Sequence, residues 1–256
     1  MRTGATMAAW ELHEGDALAV LPTLEPESVD LVLADPPYNS GGRTQSDRTR
    51  ESARGKYVRS DAQHQLADFT GDNRDQRSYT AWLALILAHC LAVARPGASA
   101  LVFCDWRQLP ATSDALQAGG WLWRGIIPWH KPISRPRMGG FKAECEYLLW
   151  GSKGGIDATR NPVYLPGLYS ASQPRGANRV HITQKPVDLI AELLGVCVPG
   201  GRVLDPMVGS GSTGVAAMQT GRTFVGVEAS AHYAAVARER LQAAEAEWRS
   251  GSALGS

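Results

Sequence analysis

Two short stretches hold side chains whose types and order could do chemistry. The first, Asp35-Pro36-Pro37-Tyr38, follows directly on the apolar run VDLVLA at 29–34. Proline fixes φ near about −65° and removes a backbone donor, so this turn is rigid and its carbonyls face outward. The carboxylate of Asp35 and the carbonyl of Pro36 then form two acceptors in fixed relation. That pair suits an exocyclic NH2, which has two protons to give. Tyr38 offers a flat face for stacking the ring that carries the amine. An aromatic amine is a poor nucleophile because its lone pair is delocalised into the ring. Hydrogen bonds to both N–H groups favour a pyramidal nitrogen and stabilise the positive charge that develops as it attacks, which is electrostatic rather than covalent catalysis. Taken alone, the tetrapeptide is equally well explained as an Asp-Pro-Pro turn that starts a loop.

The second stretch is RVLDPMVGSGSTGVAAMQTGRTFVGVEAS at 202–230. A strand should end at Asp205, pass through Pro206 and Met207 into a turn containing Gly209, Ser210 and Gly211, and enter a helix near Ser212 and Thr213. Glycines at the first turn of a β-α-β unit let backbone approach a ligand without a Cβ in the way. Glu228, 17 residues after Gly211, ends the next strand, where an acid can accept hydrogen bonds from a ribose diol. Gly209, Gly211 and Gly214 have the spacing G-x-G-x-x-G, and the loop has no P-loop lysine. A nucleoside triphosphate is therefore disfavoured. A dinucleotide and a nucleoside-containing methyl donor both remain open, as does a turn whose glycines serve only packing.

The elements that must position these groups are legible as an alternation. Runs at 29–34, 98–104, 146–151, 201–205 and 223–228 are short and apolar, as buried strands are. Helical patterns lie between them at 78–94, 185–201 and 230–248, with stops at Arg95-Pro96-Gly97 and Pro199-Gly200-Gly201 and an expected N-cap at Ser230. Alternating strands and helices imply an α/β fold with a mainly parallel sheet. Both chemical stretches follow strands, so the switch-point rule puts them on one carboxyl edge, facing each other across a crevice.

Composition sets outer bounds. The chain has 256 residues and a net charge of +1, so global charge argues for neither nucleic acid nor membrane. Its four cysteines, Cys90, Cys104, Cys145 and Cys197, form no C-x-x-C pair, which argues against zinc or a disulfide framework. The N-terminus lacks a signal-like apolar core, and AWLALILAHCLAVA is too short to span a bilayer. No metal and no membrane are expected, and the expected compartment is the cytoplasm. Two stretches break the alternation, 40–77 and 152–181, and long irregular segments in a compact domain are usually functional or disordered. A tail at 250–256 is expected to be disordered. Trp121, Trp123 and Trp129 alternate on an expected strand, and His64 and His130 read as structural rather than catalytic.

The pairing of DPPYNS upstream with QKP, LDPMVGSGST and GVE downstream resembles the S-adenosylmethionine-dependent amino-methyltransferases of DNA. The order of these motifs is similar to that of the circularly permuted β group, and the resemblance covers about Leu12 to Tyr233. It implies a Rossmann-like methyltransferase fold, with a mostly parallel seven-stranded sheet and helices on both faces, filling one catalytic domain over 1–249. It implies Asp35, Pro36, Pro37 and Tyr38 as the catalytic clamp. Asp205, Pro206, Met207, Gly209, Ser210, Gly211, Ser212 and Thr213 would surround the methionine part of S-adenosylmethionine, with Glu228 on the ribose and Asp16 on the adenine. Lys185 would lie near the cofactor's carboxylate. Met207 and Ser212 depart from the commoner Phe and Thr of the family.

An Asp heading the tetrapeptide is commoner in family members that act on adenine N6, and Ser in those that act on cytosine N4. The resemblance thus implies an adenine-N6 methyltransferase of double-stranded DNA with base flipping, of the restriction-modification kind. Cytosine N4, RNA or a protein amide, and a non-catalytic DNA-binding subunit stand as alternatives, and a homodimer is left open. Residues 128–181 carry eight Lys/Arg against three acids, a local +5 on a chain of +1. That segment is expected to contain the target-recognition part, with Lys131, Arg135, Arg137, Lys142, Arg175 and Arg179 on DNA. Residues 40–77 are expected to form a DNA-contacting lid.

Overall fold

The computed structural model describes residues 9–38, 75–134, 138–172 and 185–253. Its centre is β2 (Val29–Ala34), every residue of which is buried. The run is apolar throughout because helices cover both faces of it. Val29, Val32 and Ala34 pack on one side, while Leu31 and Leu33 pack on the other. β3 (Ala94–Cys104) lies parallel to one flank of β2 and β7 (Arg202–Asp205) to the other. β8 (Thr223–Glu228) and then β1 (Trp10–Glu14) extend the parallel half. On the far side β5 (Cys145–Ser152) runs antiparallel between β3 and β4 (Leu122–His130). A two-residue strand, β6 (Tyr169–Ser170), completes an eight-stranded sheet in the order β1-β8-β7-β2-β3-β5-β4-β6. The α/β, mostly parallel architecture is thus as expected. The eighth strand is that short edge piece, which has no apolar run to announce it.

One layer holds α1 (Ala17–Val20), α2 (Gln76–Val93) and α3 (Leu109–Ala118). α2 starts where Asp75 accepts a hydrogen bond from the Ser78 N–H at 2.9 Å, an N-cap. It buries Tyr79, Leu83, Ile86, Leu87, Cys90 and Val93. Each such aliphatic side chain contributes on the order of 1.5–3 kcal/mol. Arg95 precedes a proline and is pushed to extended backbone, so the chain passes from helix into β3 without a loop. The other layer holds α4 (Val187–Leu193), α5 (Ser212–Gln219) and α6 (Ala231–Ala253).

Two boundaries differ from expectation. The helix foreseen at 185–201 stops at Leu193 and tightens into a 3-10 turn, Leu194–Val196. The tail expected to be disordered from residue 250 is helical to Ala253, since no proline interrupts it and the Ser250 hydroxyl bonds the Glu247 carbonyl at 2.8 Å. Trp121 and Trp129 are buried and donate to the carbonyls of Leu87 and Ala171, while Trp123 is exposed. Two of the three thus lie in the core. Among the described residues no helix is long and apolar enough to cross a membrane.

Candidate active site

The strands β1, β8, β7, β2 and β3 are parallel, so their carboxyl ends share one edge. Asp35 to Tyr38 leave β2 there, Asp205 ends β7 there, and Glu228 ends β8 there. A cavity of about 60 Å³ lies between them. Asp35, Phe103 and Lys185 line one wall, and Asp205, Met207, Gly209, Ser210, Ser212 and Thr213 line the other. The two stretches, 170 positions apart from Asp35 to Asp205, therefore meet.

The glycine loop is held from three directions. Asp205 Oδ1 accepts the Met207 N–H at 2.9 Å and Oδ2 accepts the Thr213 hydroxyl at 2.6 Å. Burial pushes the Asp205 carboxyl up to about 7, against the pull of those two donors. Glu228 accepts the N–H of Gly209 and of Ser230, both at 2.8 Å. Arg240, on α6, donates to the Ser210 carbonyl and, at 3.0 Å, to the Ser210 hydroxyl. Gly209 has φ +53°, and a Cβ there would meet nothing within 4 Å. The space over that backbone is therefore open, a cradle that a side chain would fill. Gly214 serves differently, because a Cβ on it would come within 2.4 Å of Leu241 and 2.8 Å of Phe224. It lets α5 sit down on α6 and β8. Asp16 follows β1 at the same edge and caps α1 through the Leu18 N–H at 2.9 Å.

On the other wall the Asp35-Pro36-Pro37-Tyr38 turn belongs to a buried ionic network. Lys185 Nζ lies 2.8 Å from each oxygen of Asp35 and 3.6 Å from Glu146 Oε2. The Tyr38 hydroxyl donates to Glu146 Oε2 at 2.9 Å, and Lys131 Nζ donates to Glu146 Oε1 at 2.7 Å. The Lys185 ammonium also lies 4.9 Å from the Tyr38 ring centre and 5.1 Å from that of Phe103, within cation–π range. Burial raises the Asp35 carboxyl above the usual range even though Lys185 pulls the other way. Burial also works against ionised Glu146, but Lys185 and Lys131 hold it below its ordinary value. For Lys185, burial is outweighed by Asp35 and Glu146, and its ammonium is held more firmly than usual.

This geometry redistributes several expectations. Lys185, expected beside a cofactor carboxylate, sits on Asp35, although it also borders the cavity. Lys131, expected on DNA, is paired with Glu146 and only 20 % exposed, whereas Lys142 is at the surface beside Glu144. Arg135, Arg137, Arg175 and Arg179 lie outside the described residues, as does 40–74 of the expected lid; Gln76 and Arg77 already belong to α2. His130 contacts Ser170 and stands near Glu144. The sequence did not point to Glu146 or Arg240. The sole signal for Glu146 was a carboxylate at the head of the apolar run EYLLWG. Cys104 adjoins the site, and burial pushes its thiol up to about 12, so it offers no thiolate.

A family profile described as DNA methylase, for N6 and N4 methyltransferases, matches residues 29–239. The chain belongs to that family. A protein of Escherichia coli strain K12 named "Putative methylase YubD" is 29 % identical over 242 residues, covering 94 % of this chain and 93 % of that protein. Among solved structures, an M1.HpyAVI–SAM complex is similar with TM-score 0.64 and 22 % identity, over 91 % of this chain and 98 % of that one. The cytosine-N4-specific PvuII DNA methyltransferase is similar with TM-score 0.66 and 18 % identity, over 91 % and 88 %. At those identities the structural likeness concerns the fold. The family is one of S-adenosylmethionine-dependent DNA amino-methyltransferases, and the mostly parallel α/β sheet of this chain is its architecture.

Proposed function

We propose that this DNA methylase transfers a methyl group to the exocyclic N6 of an adenine flipped out of duplex DNA. The observation that carries the reading is the shared cavity, which has Asp35 on one wall and the Asp205–Thr213 loop on the other. S-Adenosylmethionine, when bound, supplies an electrophilic methyl group. Asp205, the open backbone at Gly209, Ser210 to Thr213 and Glu228 are the residues that would hold it, with Asp16 on its adenine. Asp35 and the Pro36 carbonyl accept the two N–H bonds of the target amine, and they stabilise the charge that develops on nitrogen. Tyr38 stacks on the extruded ring and offsets part of the unstacking cost, which is on the order of a few kcal/mol. Lys142, Arg135, Arg137, Arg175 and Arg179 contact phosphates.

Cytosine N4 stands as the second reading, because the same clamp accepts either amine and the PvuII enzyme shares the fold. The Asp that heads the tetrapeptide favours adenine. Incubation with labelled S-adenosylmethionine and mixed duplexes, followed by nucleoside chromatography, tests both. N6-methyladenine is the expected product. Label in N4-methylcytosine would replace adenine with cytosine, and label in RNA or protein but not DNA would overturn the proposal.

A further inference from the structure

The same network contains a carboxylate that the clamp chemistry does not use. Glu146, the second residue of the antiparallel strand β5, is 7 % exposed and faces both Lys185 and Tyr38 across the sheet edge. Its relation to Asp35 matters because one ammonium bridges both Asp35 oxygens. A target amine must use an Asp35 oxygen as acceptor, and positive charge grows on its nitrogen during transfer. A lysine held against that carboxylate competes for the oxygens and opposes the growing charge. Glu146 Oε2 lies 3.6 Å from the same Nζ, so a small rotation of the lysine side chain brings it to hydrogen-bonding distance there.

We infer that Glu146 is a positioning residue that receives the Lys185 ammonium when the target amine arrives, freeing Asp35 to act on the base. The inference rests on the amino-methyltransferase reading above and adds a residue to it. In the free protein Lys185 serves as a stand-in for the amine, keeping Asp35 ionised in a buried place. On base binding the ammonium shifts toward Glu146 while the charge count of the cluster stays constant. Because Glu146 also accepts the Tyr38 hydroxyl, the acceptor for the lysine and the anchor of the stacking ring are one group. Lys131, on Glu146 Oε1, keeps that carboxylate ionised and turned toward the site.

The test is single-turnover methyl transfer by Glu146→Gln, Tyr38→Phe and the double variant Glu146→Gln/Lys185→Gln, beside wild type. Calorimetric binding of S-adenosylmethionine reads folding independently. Glu146→Gln keeps an acceptor for Tyr38 but leaves Lys185 on Asp35, so transfer should slow about tenfold or more with cofactor affinity unchanged. Removing Lys185 in that background should restore about threefold or more of the rate when assayed near pH 9. The alkaline condition is needed because, without its lysine, buried Asp35 takes up a proton more readily. The rate of the double variant should therefore rise with pH more steeply than that of wild type or of Glu146→Gln. A Glu146 with a merely structural role gives no rescue when Lys185 is removed, and that result overturns the inference. So does a Tyr38→Phe variant that reproduces the whole Glu146→Gln loss, since the carboxylate would then act through the ring alone. A Glu146→Gln protein that no longer binds cofactor also counts against it. Absence of DNA methylation by wild type overturns the functional reading and this inference with it, whereas wild-type transfer without rescue overturns the inference alone.

Discussion

Asp30 and Asp35 stand at opposite ends of β2, five residues apart, and the protein treats them in opposite ways. At the amino edge Asp30 is the buried member of its cluster, its side chain 5 % exposed. Its partners Arg95 and Arg160 are 41 % and 46 % exposed, and the Arg202 N–H donates to it at 3.0 Å. At the carboxyl edge the order is reversed. There the cation, Lys185, is 5 % exposed while Asp35 is 23 % exposed and borders the cavity. A buried anion among solvated arginines ties chain segments together. A buried cation behind a reachable anion presents that anion to whatever enters. In each cluster the fixed member holds the structure and the reachable one is available for other contacts.

The largest test of this contrast is alanine at each position. Asp35→Ala should lower methyl transfer by about a thousandfold or more, yet leave cofactor affinity within a few-fold, because it removes an acceptor used in the transition state and not the glycine loop. Equal loss of transfer and cofactor binding, measured by label transfer and calorimetry, would refute that division. Asp30→Ala should do the reverse, retaining transfer per folded molecule. Its stability should fall by about 1–3 kcal/mol in urea titration, since its arginines can be hydrated once released.

Asp205 sharpens the comparison, being a carboxylate whose burial is only partly offset by two neutral donors. Its folded-state value of about 7 lies above its ordinary value of 3.8. Between those two values the folded state holds a proton that the unfolded chain lacks. Stability from this group is therefore greatest below about pH 4 and is lost progressively as pH rises to about 7. Asp205→Asn, whose oxygen still accepts the Met207 N–H and whose NH2 can donate to the Thr213 hydroxyl, should remove that slope. The unfolding free-energy difference, variant minus wild type, measured by urea titration, should grow from pH 4 to 7 and then level off, reaching on the order of a few kcal/mol. A difference that does not change with pH would contradict the raised value.

The smallest expected effect comes from Gly209. An alanine there adopts φ +53° at a cost of about 1 kcal/mol, yet it projects its methyl into open space. Cofactor affinity should therefore fall more than stability. Gly214→Ala meets Leu241 and Phe224 instead and should cost about 1–3 kcal/mol of stability, with affinity lost only in step. If the two variants behaved alike, the loop could not be divided into a ligand-facing and a packing glycine.

The chemistry-bearing stretches were legible because each is local. Asp35-Pro36-Pro37-Tyr38 and Gly209-Ser210-Gly211 lie within a few residues of a strand end, and parallel strands put such ends on one edge. The strands β2, β3, β7 and β8 were legible because burial on both faces gives each an apolar central run. β1 was not, since WELHE lies on the sheet edge, with its residues partly exposed. The ionic network was not legible either, because Lys131, Glu146 and Lys185 have ordinary neighbours in sequence.

What the sequence by itself determined is the alternation of elements, the rigid acceptor turn and the open glycine loop, all properties of short segments. Only the tertiary structure decided which charges share a site. It put Lys185 on Asp35 and Glu146 beside both, over separations of 150 and 108 residues for Asp35–Lys185 and Tyr38–Glu146. Ion pairing depends on distance and burial, and neither is set until β2, β5 and the start of α4 come together at one edge.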